Sequence, residues 1–541
     1  MTLARNASGE IDKSGTAEPG RAARTGRVSA RAESAARATG SVTSTIADGV
    51  RNLLGRPLAS YHLIVTLAAL LTVFGLVMVL SASSVEGYSK DGSAYGLFAT
   101  QVIFALMGLV VFYFTLRVPV RMLRRCAAPL LIVTTILLGL VLVPGIGTLS
   151  QGARRWFVVS GLSVQPSELV KVALCVWGAH LLASRIREHA PLKELLWPLL
   201  PVGVLIAGLI IAEPNLSTTI TIAIIVGALL WFAGLPIKVF ASFTVVCIGL
   251  AVFAALIAGY RSQRVMSFLG GIDDPQGAGY QARQATFALA NGGVFGVGLG
   301  QSRAKWNYLP NAHNDFIFAI IGEELGLIGG LVVVLLFVLL AFIGLRIAAR
   351  SADPFLRMMT ATVTILLTAQ AFINIGYVIG LLPVTGIQLP LLSAGGTSTL
   401  TVLAMLGLLA NAARHEPDAV IALAAARPRR FRWLRLPTPV AYRRSRTEGM
   451  RDRLAARRTQ QVRAQLPPTA RAPRGGNRTP PGGARGRRGG RAGYPPSARS
   501  GEAAPPGPVV PGVPDAWARG RSGYGVPPQP RGGHRPGRTR R

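Results

Sequence analysis

The residues best suited to chemistry stand where a polar stretch gives way to an apolar one. The run Tyr308-Leu-Pro-Asn-Ala-His-Asn-Asp315 is polar, and from Phe316 the chain is apolar to about residue 345. The carboxylate of Asp315 then falls at the first turn of a long helix, where water meets membrane. The free N–H groups of a helix start favour its charge there. Such an acid can take a proton from a sugar hydroxyl as a general base, or it can simply cap the helix. His313, two residues earlier, can tune that base or bind an anion, or be a solvated loop residue. Glu323 and Glu324 lie deeper in the apolar run. An ionisable side chain there is costly, and marks a functional site or its support.

Four further stretches carry candidate groups. Arg154, Arg155 and Trp156 are cations beside an aromatic, read either as an interfacial anchor or as a clamp for a phosphate or diphosphate. In Gln165-Pro166-Ser167-Glu168-Leu-Val-Lys171, Pro166 suits a first helical turn, and Glu168 and Lys171 are i,i+3 neighbours that can pair. That pair either holds helices together or meets substrate. Glu213-Pro214-Asn215 reads as a tight turn with Glu213 as a candidate cavity wall. The long loop 260–314 adds Arg264, and its glycines from Gly292 to Gly300 suit close backbone approach or a re-entrant turn. They follow no strand and are no nucleotide fingerprint. Residues 382–398, with Gln388 and Ser393, are dense in Pro and Gly and break a helix at membrane depth. Such a break survives only beside protein or a wet cavity.

The elements that must position these groups are membrane spans. Half of the residues are hydrophobic, gathered between Tyr61 and Ala413 in runs long enough to cross a bilayer as helix. This predicts an all-α polytopic membrane protein of ten spans, at about 61–83, 94–116, 127–145, 166–184, 196–212, 216–234, 239–259, 315–345, 358–382 and 392–413. Arg117, Arg121, Arg124 and Arg125 lie in one loop, Arg185, Arg187 and Lys193 in the next but one, and Arg346, Arg350 and Arg357 in a later one. By the positive-inside rule both termini are cytoplasmic and Asp315 faces outward. Arg154 and Arg155 then stand on the disfavoured side, which anion binding would explain. The formal net charge of +35 comes mostly from the tail after Arg414. Residues 1–57 and 415–541 read as disordered basic arms flanking a membrane domain over 58–414. Arg-Gly-Gly pieces in the tail make RNA a weaker partner than anionic lipid or acidic proteins. Cys126, Cys175 and Cys247 lie far apart in apolar runs, as packing residues and not as a disulfide framework. No cleavable signal peptide is visible.

Several of these motifs together resemble the SEDS family (shape, elongation, division and sporulation). They are Leu-Pro-x-Ala-His-x-Asp-Phe-Ile-Phe-Ala-x-x-Gly-Glu-Glu-Leu-Gly, Arg155-Trp156, Gln-Pro-Ser-Glu-x-x-Lys, Gly279-Tyr280-Gln281 with Gly298-Leu299-Gly300, and Pro-Val-Thr-Gly…Leu-Pro…Ser-x-Gly-Gly. The resemblance covers about 61–413. It implies a ten-span peptidoglycan glycosyltransferase that polymerises lipid II at the outer face of the plasma membrane, with Asp315 at the family's essential aspartate. Arg154, Arg155, Trp156, Glu168, Lys171, Arg264, His313, Gln388 and Ser393 are then candidate substrate-binding residues. A divalent cation, Mg or Mn, is a candidate cofactor. A class B penicillin-binding protein and other divisome proteins are the expected partners, at the division septum. The long basic arms favour the division branch, and the Arg-, Ala- and Gly-rich composition an actinobacterial source. Glu213-Pro-Asn215 departs from the Gln-Pro-Asp of many relatives. The competing readings are a transporter flipping the same lipid, served by Glu213, Glu323 and Glu324, and a division scaffold without chemistry.

Overall fold

The computed structural model describes residues 48–49, 51–150, 152–159, 161–187, 192–257, 279–306, 309, 312–425 and 436–442. Both basic arms apart from those short pieces lie outside the described residues, as does 258–278 with Arg264. In chain order the elements are α1 Ala59–Asp91, α2 Gly96–Arg117, α3 Val120–Leu140, β1 Thr148–Ser150, β2 Ala153–Val159, β3 Leu162–Val164 and α4 Pro166–Arg187. Then follow α5 Leu192–Ala212, α6 Leu216–Phe232, α7 Ile237–Ile257, α8 Tyr280–Gly292, α9 Ile317–Arg350, α10 Pro354–Val378, α11 Gly396–Arg414 and α12 Pro417–Ala425. Eight of these are long and apolar enough to cross a membrane, and α6 and α7 are shorter apolar helices. The protein is a helical membrane protein.

Local chemistry sets the helix ends. Pro166 opens α4 with Glu168 in its first turn. Asn215 caps α6, accepting from the Thr218 N–H at 3.2 Å. Asp353 caps α10 ahead of Pro354, accepting from the Phe355 N–H at 3.0 Å. Each cap satisfies a donor the helix leaves unpaired. Burial then sorts the bundle. The apolar stretches of α10 and α11 are 78% and 83% buried, while those of α2 and α3 are 22% buried, so the first pair forms the centre and the second the lipid-facing rim. On α7, Val245, Val246, Ile248, Leu250 and Phe253 are exposed. In water that face would aggregate; in hydrocarbon it needs no cover.

Three features depart from the sequence expectation. The loop before α4 folds into a three-stranded antiparallel ribbon in an otherwise helical chain, from the short β-favouring run Arg154-Arg-Trp-Phe-Val-Val159. Helix α1 runs on to Asp91, about two turns past its apolar stretch. Residues 379–395 are not helical, so α10 stops earlier and α11 starts later than the apolar pattern placed them. Gly380, Pro383, Gly386, Pro390 and Gly395 account for that break.

Helix α9 carries a second break, at Gly326 (φ 69°). The glycine-rich segment 293–298 lies along it: Val297 and Gly298 donate N–H to the carbonyls of Glu323 and Glu324 (3.0 Å each), and Leu327 donates to the Gly293 carbonyl (2.9 Å). The interrupted helix groups are thus paired at membrane depth, as the bilayer requires. The approach is possible because the side chains are missing. A Cβ on Gly296 would stand 2.2 Å from the Glu324 carbonyl oxygen. Glu323 and Glu324 fasten the next stretch. Glu323 accepts from the Ser302 hydroxyl (2.5 Å) and from the N–H groups of Arg303 and Ala304, while Glu324 accepts from Ser81 (2.6 Å) with Lys305 at 3.6 Å.

Candidate active site

The first residues of α4, α6 and α11, and the stretch just before α9, line one cavity of about 580 Å³. Four helix N-termini therefore surround it, each bringing partial positive charge. Asp315, His313, Arg155, Trp156, Glu168, Lys171 and Gln388 all line it. Residues from Glu86 to Ser398 thus meet at one end of the bundle.

The stretch that carries Asp315 is fixed on several sides. Phe316 is the N-cap of α9, so Asp315 stands outside the helix and does not cap it. Ala394 donates its N–H to the His313 carbonyl (2.9 Å), and the Gln388 amide donates to Asn314 Oδ1 (2.6 Å). The carbonyl of Asp315 accepts from Asn374 (2.9 Å) and Tyr377 (2.7 Å) of α10. The irregular segment 379–395 is thus the floor under residues 313–315. Gly386, with φ 74°, carries the segment past the carboxylate: a Cβ there would stand 3.4 Å from Asp315 Oδ2, an ordinary contact.

The cations are placed by different means. The ribbon slips register between Thr148 and Leu149, whose partners are Trp156 and Arg154, so Arg155 is the extra residue of a bulge. A bulge re-aims a side chain, and Arg155 joins Trp156 in lining the cavity. Its Nε and Nη2 donate to the carbonyls of Glu213 (2.8 Å) and Pro214 (2.7 Å). Lys171 is buried and pairs with Glu168 at 2.8 Å. His313 Nδ1 lies 2.8 Å from Glu86 Oε2.

Three predicted groups fall elsewhere. Arg154 pairs with Leu149 in the ribbon and does not line the cavity. Ser393 is buried and its hydroxyl accepts from the Leu389 N–H (2.9 Å), closing a turn. Glu213 sits behind the cavity wall, fully buried, with no hydrogen-bond partner for either carboxylate oxygen among the described residues. Burial pushes its carboxyl up to about 8, with Arg155 pulling the other way. Sequence reasoning missed Glu86, Gln370, Thr218, Thr221 and Ser398, which also line the cavity. Glu86 was hidden because it lies beyond the apolar stretch of α1. The others look like ordinary small polar residues of buried helices.

This bundle of apolar helices, with three acids and three basic groups at one polar end, matches a known class. A family model described as FTSW_RODA_SPOVE, cell cycle protein, covers residues 61–418, and the chain belongs to that family. It is 56% identical over 422 residues to the "Probable peptidoglycan glycosyltransferase FtsW" of Mycobacterium tuberculosis, covering 78% of this chain and 80% of that one. It is 37% identical to the "Stage V sporulation protein E" of Bacillus subtilis over 65% of this chain and 97% of that one. Among solved structures, the rod shape determining protein RodA of Thermus thermophilus matches with TM-score 0.50 and 27% identity, over 68% of this chain and 99% of that one. A chain from a structure titled "Structural coordination of polymerization and crosslinking by a peptidoglycan synthase complex" matches with TM-score 0.54 and 28% identity, over 65% of this chain and 97% of that one.

Proposed function

We propose that this peptidoglycan glycosyltransferase builds glycan strands from lipid II at division, with Asp315 as general base. The observation that carries the reading is the single cavity in which Asp315 shares the wall with Arg155, Lys171 and His313. In the proposed step the 4-hydroxyl of one lipid-linked disaccharide attacks the anomeric carbon of another. A new glycosidic C–O bond forms, the bond to the diphosphate breaks, and the diphosphate leaves with the electron pair. Asp315 accepts the hydroxyl proton. Arg155, Lys171 and the four helix N-termini stabilise the charge that builds on the leaving group. One base with an activated leaving group suits direct, inverting displacement, with no second carboxylate as nucleophile.

The cavity end faces outward in this reading, and the arginine-rich opposite end, with both termini, faces the cytoplasm. Among the described residues no group of three or more His, Cys, Asp or Glu side chains could hold a metal ion. Glu86 and Glu168 each stand beside a basic partner. A divalent cation, Mg or Mn, held between a cavity carboxylate and the diphosphate oxygens would add to the charge that Arg155 and Lys171 supply. A class B penicillin-binding protein is the proposed partner, in keeping with the solved complex whose title couples polymerisation to crosslinking. Other divisome proteins are proposed to bring the pair to the septum. Transport is the weaker reading, because Glu323 and Glu324 are engaged in holding residues 302–305.

The test is polymerisation of lipid II by purified protein together with that partner. Asp315→Asn should lower the rate by about 10²–10⁴, the usual worth of a general base. A well-folded Asp315→Asn protein that polymerises like wild type would end the mechanism.

A further inference from the structure

Two side chains of α10 lie behind the cavity and take no part in the step above. Asn374 and Tyr377 are one turn apart and fully buried. Both point at the same pair of backbone carbonyls. The Asn374 amide lies 2.9 Å from the Asp315 carbonyl oxygen, 2.7 Å from that of Ile387 and 2.6 Å from the Tyr377 hydroxyl. The Tyr377 hydroxyl lies 2.7 Å and 2.9 Å from the same two carbonyls.

The donor arithmetic shows what this arrangement is for. An amide has two hydrogens and a phenol one, so three hydrogens serve three acceptors: the two carbonyl oxygens, which no regular element pairs, and the phenol oxygen. The orientation of the amide follows, because turning it over would set Oδ1 against two acceptors. Asn374 Oδ1 itself is buried and accepts nothing among the described residues. Leaving it so is costly, and the hydrogen bonds donated by the amide nitrogen must offset that cost. One carbonyl belongs to Asp315. The other belongs to Ile387, which lines the cavity between Gly386 and Gln388. The Tyr377 ring also meets Phe316 edge to face, with centroids 5.8 Å apart.

We infer that Asn374 and Tyr377 are positioning residues for the transfer reaction. They clamp the Asp315 peptide to the Ile387 peptide, and so hold the base at a fixed height above the floor of the cavity. The inference rests on Asp315 being the base. Neither residue lines the cavity, so the clamp acts on the rate of the chemical step and leaves substrate binding alone.

The experiment uses the full-length protein with its partner, lipid II as substrate, and a thermal unfolding midpoint for every variant. Tyr377→Phe keeps the ring against Phe316 and deletes only the hydroxyl. It should lower kcat about tenfold with KM for lipid II changed by less than about twofold. Asn374→Leu should lower kcat by about 10², the usual consequence of misplacing a reacting group by an ångström. In an Asp315→Glu background, where the base already sits at another height, Tyr377→Phe should cost less than it does in wild type. A purely structural role would not produce that difference. Unchanged kcat in Tyr377→Phe, a change confined to KM, or the same penalty in both backgrounds would each overturn the clamp. Wild-type activity in Asp315→Asn is a separate result, and it would remove the base on which the clamp acts.

Discussion

The two ends of the bundle are stabilised in different ways. At the cavity end helices break, and buried neutral donors hold backbone carbonyls: Asn374 and Tyr377 on Asp315 and Ile387, and Ala394 on His313. At the other end helices run to completion; one neutral clamp, Asn411 on the carbonyls of Thr115 and Val118 (2.8 Å each), stands among arginines that tie the helix ends together. Arg124 pairs with Asp353, the cap of α10, and Arg350 pairs with Glu416 (3.1 Å) and Asp418 beyond α11. Neutral clamps fix geometry without adding charge, so the charges left at the cavity end can serve a ligand. The Arg350–Asp418 pair is largely in water, and such a pair fixes little and costs little to lose. Geometry should therefore be the critical property at the first end, and simple cohesion at the second.

The hardest test of that contrast is Lys171, a cavity-end charge that is buried. Removing it in Lys171→Ala leaves Glu168 buried without its ion-pair partner. That should cost about 3–5 kcal/mol of stability, read as a fall in unfolding midpoint, and should abolish measurable polymerisation. Glu168→Gln with Lys171→Met replaces the pair by neutral groups of similar size. It should recover most of the stability and none of the activity. Recovery of both would mean that the pair is cohesion only, and would erase the difference between the ends.

The same contrast explains what the sequence made legible. The spans were readable because hydrocarbon imposes length and composition on a helix. Asp315, Lys171 and Glu168 stood out because charge at membrane depth is conspicuous. The neutral apparatus was silent: Asn374 and Tyr377 look like any polar residues in an apolar helix, and Gln370 and Ser398 likewise. Choosing Arg155 over Arg154 needed the bulge, which depends on the pairing of Thr148 with Trp156 and not on composition. Glu86 needed the two extra turns of α1. Ser393 shows the opposite error, a conspicuous serine in a Gly-rich break that only closes its own turn.

A middle-sized effect comes from two buried acids, one at each end. Glu416 has Arg350 at 3.1 Å, and burial raises its carboxyl above the ordinary range. The carboxylate oxygens of Glu213 have no hydrogen-bond partner among the described residues, and burial pushes the carboxyl up to about 8 from an ordinary 4.5. Below about pH 4.5 the folded and unfolded chains both keep the Glu213 proton. Between there and about 8 only the unfolded chain gives it up, so stability falls through that window and levels off above it. Glu213→Gln has no proton to lose. It should match wild type near pH 4.5 and exceed it by about 2–3 kcal/mol at pH 7, at roughly 1.4 kcal/mol per pKa unit. Unfolding midpoints of the two proteins across pH 4.5 to 8.5 would show it, and parallel curves would refute the buried neutral acid.

The smallest effect should come from Arg350→Ala. The guanidinium is about one-third exposed and its partner Asp418 is mostly exposed, so water already screens much of the attraction. Glu416, left without this cation, keeps the Ser60 hydroxyl and the Arg346 charge beside it. The loss should be about 1 kcal/mol or less and should shrink further in high salt. Polymerisation by the purified protein should stay within about twofold of wild type, because nothing at this end touches the Asp315 peptide. A tenfold loss of kcat in Arg350→Ala, matching that expected for Tyr377→Phe, would mean that the arginine pairs control the reacting geometry from the far end of the bundle. The division of labour between the two ends would then be wrong.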